Sequence, residues 1–200
     1  MIAIVDYGVG NLKSVYKALE KLGFEAIITS KEEEINQSKA IILPGVGAFK
    51  DAMDHLIESG LIDCLKKNVK EGKPILGICL GMQLFYEKSY EDGAWNGLGL
   101  LEGEVVRFED QLKVPHMGWN DLIEGVKDEI GKDINGEYVY FVHSYYVKPK
   151  RKEEVLFWTN YGIEVPAVIR KDNIFGMQFH PEKSGETGMR LLKNFGELIK

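Results

Sequence analysis

The chain has 200 residues, 44% apolar and 10% aromatic, which suffices to bury a sizeable core without disulfides or metal and excludes a disordered chain. Its 25 Lys and Arg against 31 Asp and Glu leave a net charge of −6, which excludes a broad basic face for nucleic acid and a polybasic membrane contact. One domain spanning residues 1–200 is the expectation from length. No basic segment precedes Asp6, and no apolar run approaches the ~18 residues of a membrane-spanning helix, so a cytoplasmic address is expected. The two cysteines, Cys64 and Cys79, occupy no CxxC or CxxH spacing, so neither a disulfide framework nor a zinc site is expected.

Met1–Val5 is a short apolar run closed by Asp6-Tyr7-Gly8-Val9-Gly10, which reads as a buried strand and a turn. Leu12, Val15, Tyr16, Leu19 and Leu22 recur at helical spacing and stop at Gly23, a residue suited to a helix C-terminus. Phe24–Thr29 and Ala40–Leu43 read as strands, the second broken by Pro44-Gly45-Val46-Gly47. Helical patterns follow over Ala48–Leu56 and Leu61–Val69, and Gly72-Lys73-Pro74 turns the chain into Ile75-Leu76-Gly77-Ile78, which runs directly into Leu80, Met82, Leu84 and Phe85. Strands apolar on both faces and alternating with helices predict an α/β fold: an open, mostly parallel central sheet with helices on both faces. Beyond Gly93 the runs Val105–Phe108, Tyr138–Val142 and Val155–Thr159 predict additional antiparallel strands in the second half. Ile174–Phe179 reads as another strand and Thr187–Ile199 as a closing amphipathic helix. The basic run Lys148–Lys152 is followed at once by Glu153-Glu154, the pattern of a solvated hairpin tip.

Gly77-Ile78-Cys79-Leu80-Gly81 stands where a buried strand passes straight into a helix, the sequence of a nucleophile elbow with cysteine at its apex. The flanking glycines suit a turn so sharp that a Cβ would collide with the neighbouring chain, and the helix start at Leu80 offers free amides that favour a thiolate and face an oxyanion. A lone cysteine in an apolar run also has a packing use. Cys64, in a helical pattern without glycines, is assigned that use. A thiol nucleophile needs a base, and of four histidines His180, in Gln178-Phe179-His180-Pro181-Glu182, stands out. In extended chain His180 and Glu182 share a face, so the carboxylate could hold the imidazole in one tautomer. His116 and His143 lie among aromatics as packing or site-lining residues, and His55 sits on an exposed helix face. Pro44-Gly45-Val46-Gly47 should lie beside the cysteine strand, where its amides could meet an oxyanion and its two glycines would allow a peptide flip. A dinucleotide-binding module stands as an alternative from Gly8-Val9-Gly10, but Lys13 occupies the position of the third glycine.

Gly77–Gln83 together with Phe179–Glu182 resemble the nucleophile and base motifs of class I glutamine amidotransferases. Asp6–Asn11, Pro44–Phe49, Pro115–Asn120, Phe141–Tyr145 and Glu182–Ser184 are similar, within that family, to the glutaminase subunits of imidazole glycerol phosphate synthases. The resemblance implies a flavodoxin-like fold and no cofactor or metal. It implies glutamine hydrolysis to glutamate and ammonia, with Cys79 attacking the amide, His180 moving the proton and Glu182 orienting His180. The oxyanion would be held by Leu80 and Gly45, Val46 and Gly47. Gly47, Gln83, His143, Ser144 and Tyr145 would line the glutamine pocket. The ammonia would pass to a TIM-barrel cyclase subunit that makes imidazole glycerol phosphate and AICAR in histidine biosynthesis, the two chains forming a heterodimer with Asn11 and Lys183 at the interface. Glutaminase subunits serving anthranilate, GMP or pyridoxal phosphate synthesis are the nearest alternatives.

Overall fold

The computed structural model describes residues 1–109 and 111–199. In chain order the elements are β1 (Ile2–Val5), α1 (Leu12–Lys21), β2 (Ala26–Thr29), α2 (Glu32–Gln37), β3 (Ala40–Gly45), α3 (Phe49–Glu58), α4 (Ile62–Lys70), β4 (Ile75–Cys79), α5 (Leu80–Gln83), β5 (Tyr86–Ser89), β6 (Trp95–Asn96), β7 (Leu101–Arg107), β8 (His116–Asp121), β9 (Ile123–Glu124), β10 (Tyr138–His143), β11 (Tyr145–Pro149), β12 (Val155–Asn160), β13 (Glu164–Lys171), β14 (Ile174–Met177) and α6 (Gly185–Leu198). The large sheet has the order β2-β1-β3-β4-β14-β13-β12-β9. Its first five strands are parallel and the remainder antiparallel. Counted in chain order, the parallel strands run 2-1-3-4-5, the flavodoxin-like arrangement. Between the fourth and fifth of them the chain inserts a four-stranded sheet, β11-β7-β5-β6, and a two-stranded ribbon, β10-β8. The fold class expected from the sequence is therefore the one found.

The layers follow from side-chain alternation. Ile2 and Ile4 of β1 point into a core with Val15 and Leu19 of α1 and Leu191, Leu192 and Phe195 of α6. Ala3 and Val5 point the other way, toward Ile35 of α2, Leu56 of α3 and Leu65 of α4. A strand buried on both faces has no use for polar alternation, which is why β1, β3 and β4 read as unbroken apolar runs.

Four elements depart from expectation. β3 continues through Pro44 to Gly45, whose register partner is Cys79; the Tyr7 hydroxyl donates to the Pro44 carbonyl at 2.8 Å, so the backbone stays bonded past the proline. The unexpected α2 spans six residues and buries only Ile35, too little for a period to show, while Glu32, Glu33 and Glu34 suit its N-terminal turn. The helix expected to start at Leu80 is one turn long, so the amides offered to Cys79 are those of a single turn. Finally, the basic run is no hairpin tip: β11 pairs with β7 and β12 with β13 and β9, so this segment crosses between sheets. There Lys150 pairs with Glu102 at 2.9 Å, while Glu154 is buried.

Candidate active site

Parallel strands present their C-terminal ends along one edge, where ligands bind in sheets of this kind. At that edge β4 ends on Cys79, with φ 54° and ψ −114°, a left-handed backbone that an L-residue adopts only when its surroundings enforce it. The flanking glycines show what enforces it. A Cβ on Gly77 would stand 2.6 Å from the backbone of Met82, and one on Gly81 would overlap the Leu43 carbonyl. A Cβ on Gly45 would stand 2.7 Å from the Gly81 nitrogen. Cys79 is thus clamped at the apex between β3 and the single turn α5, and Leu80, first residue of that turn, has an amide without an intrahelical acceptor. Gly81→Ala should cost at least about 3 kcal/mol, because the rigid backbone of β3 cannot yield. A denaturant midpoint equal to that of the wild type would contradict this packing account.

His180 follows β14, the parallel neighbour of β4. Its Nδ1 lies 3.0 Å from Glu182 Oε1, and its ring lines the same pocket as Cys79, near enough for the two to interact. The sequence expectation of an extended His-Pro-Glu is not met: β14 stops at Met177, and Pro181–Lys183 form a 3₁₀ turn that brings Glu182 back to the imidazole. Proline at the first position of that turn lacks an N–H that would have had no partner there. Ser184 locks the turn, its hydroxyl donating to the His180 carbonyl at 2.7 Å and accepting from the Tyr140 amide at 3.0 Å. Burial alone would lower the pKa of His180, but its interactions with Cys79 and Glu182, with their charges, raise it to about 9. The imidazole therefore holds a proton at neutral pH beside the sulfur.

Cys79 and His180 open into a pocket of about 390 Å³, lined also by Val46, Gly47, Leu80, Gln83, Glu91, His143, Ser144, Tyr145 and Lys183. Of the predicted residues, Gly45 stands behind this wall beside Cys79, Glu182 reaches the pocket through His180, and Asn11 lies outside it at the start of α1. Gln83 donates to the Tyr145 carbonyl at 3.0 Å and to Gln178 Oε1 at 3.1 Å, leaving its own oxygen as acceptor. His143 Nδ1 lies 2.8 Å from the Tyr145 carbonyl and its Nε2 lies 3.0 Å from His116. A larger and more open groove of about 840 Å³ between α1 and α6 is lined by neither a cysteine nor a histidine.

Three residues escaped sequence reasoning. Glu91 contributes a carboxylate to the pocket, one oxygen accepting from the Phe49 amide at 2.7 Å, and burial holds its pKa above the usual range. Gln178, fully buried, bridges Gln83 to the Cys79 sulfur at 3.9 Å. Tyr7 clamps Pro44, and its phenol is held well above the ordinary range by burial and by Cys79. Only Gln178, two residues before His180, offered a positional signal.

The two inner histidines give a pH prediction. Burial lowers His116 to about 4 and His143 to about 3, against an unfolded value of 6.5. Below pH 6.5 the unfolded chain therefore takes up protons that the folded chain refuses. This contribution to stability is fully present above that pH and is lost toward pH 4, by up to about 1.4 kcal/mol per pH unit for each ring. Thermal melts should show a shallower acid decline for His116→Phe than for wild type, and parallel declines would refute it.

Residues 3–198 match the family described as glutamine amidotransferase class-I. The chain belongs to the class-I glutamine amidotransferase family. Within this family the amidotransferase is 56% identical to imidazole glycerol phosphate synthase subunit HisH of Caldanaerobacter subterraneus subsp. tengcongensis, covering 100% of this chain and 99% of the relative. It is 52% identical to the subunit of the same name from Oceanobacillus iheyensis, covering 100% of both. Among solved structures it superposes on a glutamine amidotransferase with a TM-score of 0.77 at 26% identity, covering 100% and 99% of the two chains. PurLQS from Thermotoga maritima, at 22% identity, shares the fold with a TM-score of 0.79 over 100% of this chain and 98% of that one. Among the described residues no helix of the amidotransferase is long and apolar enough to cross a membrane, and no group of three or more His, Cys, Asp or Glu could hold a metal ion.

Proposed function

We propose that this amidotransferase is the glutaminase subunit of an imidazole glycerol phosphate synthase, that residues 1–200 act as one domain, and that it works in the cytoplasm. The observation that carries the reading is His180, hydrogen-bonded to Glu182, sharing one pocket with Cys79. The Cys79 sulfur attacks the side-chain amide carbon of glutamine as the thiolate, and the negative charge passes to the amide oxygen. The Leu80 amide faces that oxygen from one side, with the Gly45-Val46-Gly47 segment opposite. His180 gives its proton to the departing nitrogen, ammonia leaves, and a γ-glutamyl thioester remains. His180 then takes a proton from water, the hydroxide adds to the thioester, and the sulfur departs to release glutamate. Glu182 holds the ring through Nδ1, so that Nε2 faces sulfur, nitrogen and water in turn. Glu91 places a negative charge where the α-ammonium of glutamine would sit, and the free oxygen of Gln83 is a second acceptor for it.

The partner reading rests on the outer face of the β8–β10 ribbon. Met117 pairs with Val142 and Trp119 with Tyr140, so these side chains alternate outward together with Tyr138. Met117 is 63% exposed and Trp119 and Tyr138 are each 57% exposed. A row of this kind marks a docking face, and Val142, Val46 and Lys183 carry it to the pocket mouth. A TIM-barrel cyclase seated there, with Asn11 and Lys183 at its edge, would receive ammonia as it leaves Cys79. The test is glutamate release by the purified chain and by the chain co-purified with the cyclase. Release that needs glutamine and follows the complex supports the reading, and a complex that makes none refutes it.

A further inference from the structure

On the inner face of the β8–β10 ribbon, three polar side chains form a chain that ends at the pocket wall. Asn120 Nδ2 lies 3.3 Å from His116 Nε2, His116 Nδ1 lies 3.0 Å from His143 Nε2, and His143 Nδ1 lies 2.8 Å from the Tyr145 carbonyl. Both ends fix the protons. A carbonyl only accepts, so His143 carries its proton on Nδ1 and keeps a lone pair on Nε2. At the other end the Asn120 amide donates to the Asn160 carbonyl at 2.8 Å, while its oxygen accepts from the Asp121 amide at 3.0 Å. Turning that amide over would set donor against donor and acceptor against acceptor. Its second N–H therefore points at His116 Nε2, and His116 donates from Nδ1 to His143. The His116 ring is stacked between Phe141 and Tyr161, with centroids at 4.7 and 4.0 Å.

Both ring nitrogens of His143 are thereby engaged within the protein, and none is left for a ligand. The Tyr145 carbonyl in turn takes two donors, His143 Nδ1 and Gln83 Nε2, which fills both of its lone pairs. We propose that His116 and Asn120 are positioning residues of the glutaminase: they hold His143 in its Nδ1–H form, which together with Gln83 pins the Tyr145 carbonyl and so sets the Ser144–Tyr145 backbone against bound glutamine. This deepens the glutaminase reading and rests on it.

The test combines nitrogen NMR of isotope-labelled histidines in the intact chain with kinetics of the complex. At neutral pH both His116 and His143 should show the Nδ1–H tautomer, the minor one of free histidine in water; the Nε2–H form at either ring overturns the proposal. His116→Phe keeps the stacking and removes both nitrogens. It should raise KM for glutamine about 5- to 10-fold, the loss of one ordering hydrogen bond, with kcat within about twofold, and it should let the His143 signals move toward Nε2–H. Asn120→Ala should act in the same direction and carries the kinetic test if His116→Phe does not fold. An unchanged KM in a folded variant overturns the proposal. Absence of glutamate release by the wild-type complex would instead defeat the glutaminase reading, and the tautomer signals would still decide the proton directions.

Discussion

Replacing Cys79 by alanine should reduce glutamate release on the order of 10⁴-fold or more, because loss of the nucleophile removes the covalent route altogether. The fold should survive, since alanine is smaller than cysteine and the flanking glycines, which permit the turn, are untouched. A complex carrying Cys79→Ala should therefore still make product when ammonium salts replace glutamine. Cys64→Ala provides the control: this thiol sits in α4 against Asn36 and Asn68, away from the pocket, and its removal should leave glutamine hydrolysis unchanged. Glutamine-dependent turnover surviving in Cys79→Ala, or lost in Cys64→Ala, would contradict the assignment. Ammonia-dependent turnover separates a lost nucleophile from a lost complex.

Glutaminase activity should rise steeply, by about 10²–10³-fold, when the proposed cyclase partner and the ligand from which it makes imidazole glycerol phosphate and AICAR are added to the isolated chain. The reason lies in Gly45-Val46-Gly47. Gly47 has φ +95° with open space where its Cβ would be, and Val46 is exposed beside the proposed docking face. A peptide flanked by two glycines can turn its carbonyl or its amide toward the pocket. With the carbonyl inward, the oxyanion lacks one of its two donors, and a partner seated against Val46 would favour the amide-inward state. Glutamate formation with partner alone, and with partner plus ligand, resolves the two contributions. Equal turnover by the free chain and the liganded complex would contradict the account.

Much of this was legible in the sequence because the physics there is local. The elbow shows as glycines spaced around Cys79, and the parallel strands show as apolar runs because they are buried on both faces. His180 and Glu182 were paired correctly on a mistaken geometry: both an extended strand and a 3₁₀ turn can bring residues two apart together, and proline ends a strand as readily as it opens a turn. What could not be read depends on distant segments meeting. Glu91 reaches the pocket from the loop after β5, Tyr7 meets Pro44 across two strands, and Asn120, His116 and His143 align only through the β8–β10 register. The one-turn length of α5 was equally hidden, since Leu84 and Phe85 continue the apolar pattern while packing in the core beyond the helix.

The most direct test of the central claim is to quench the complex in acid during turnover of glutamine and to map the modified peptide by mass spectrometry. A γ-glutamyl adduct on Cys79, absent from Cys64 and absent when ammonium replaces glutamine, is the predicted result. An adduct on Cys64, or glutamate formed at full rate with Cys79 never modified, would contradict it.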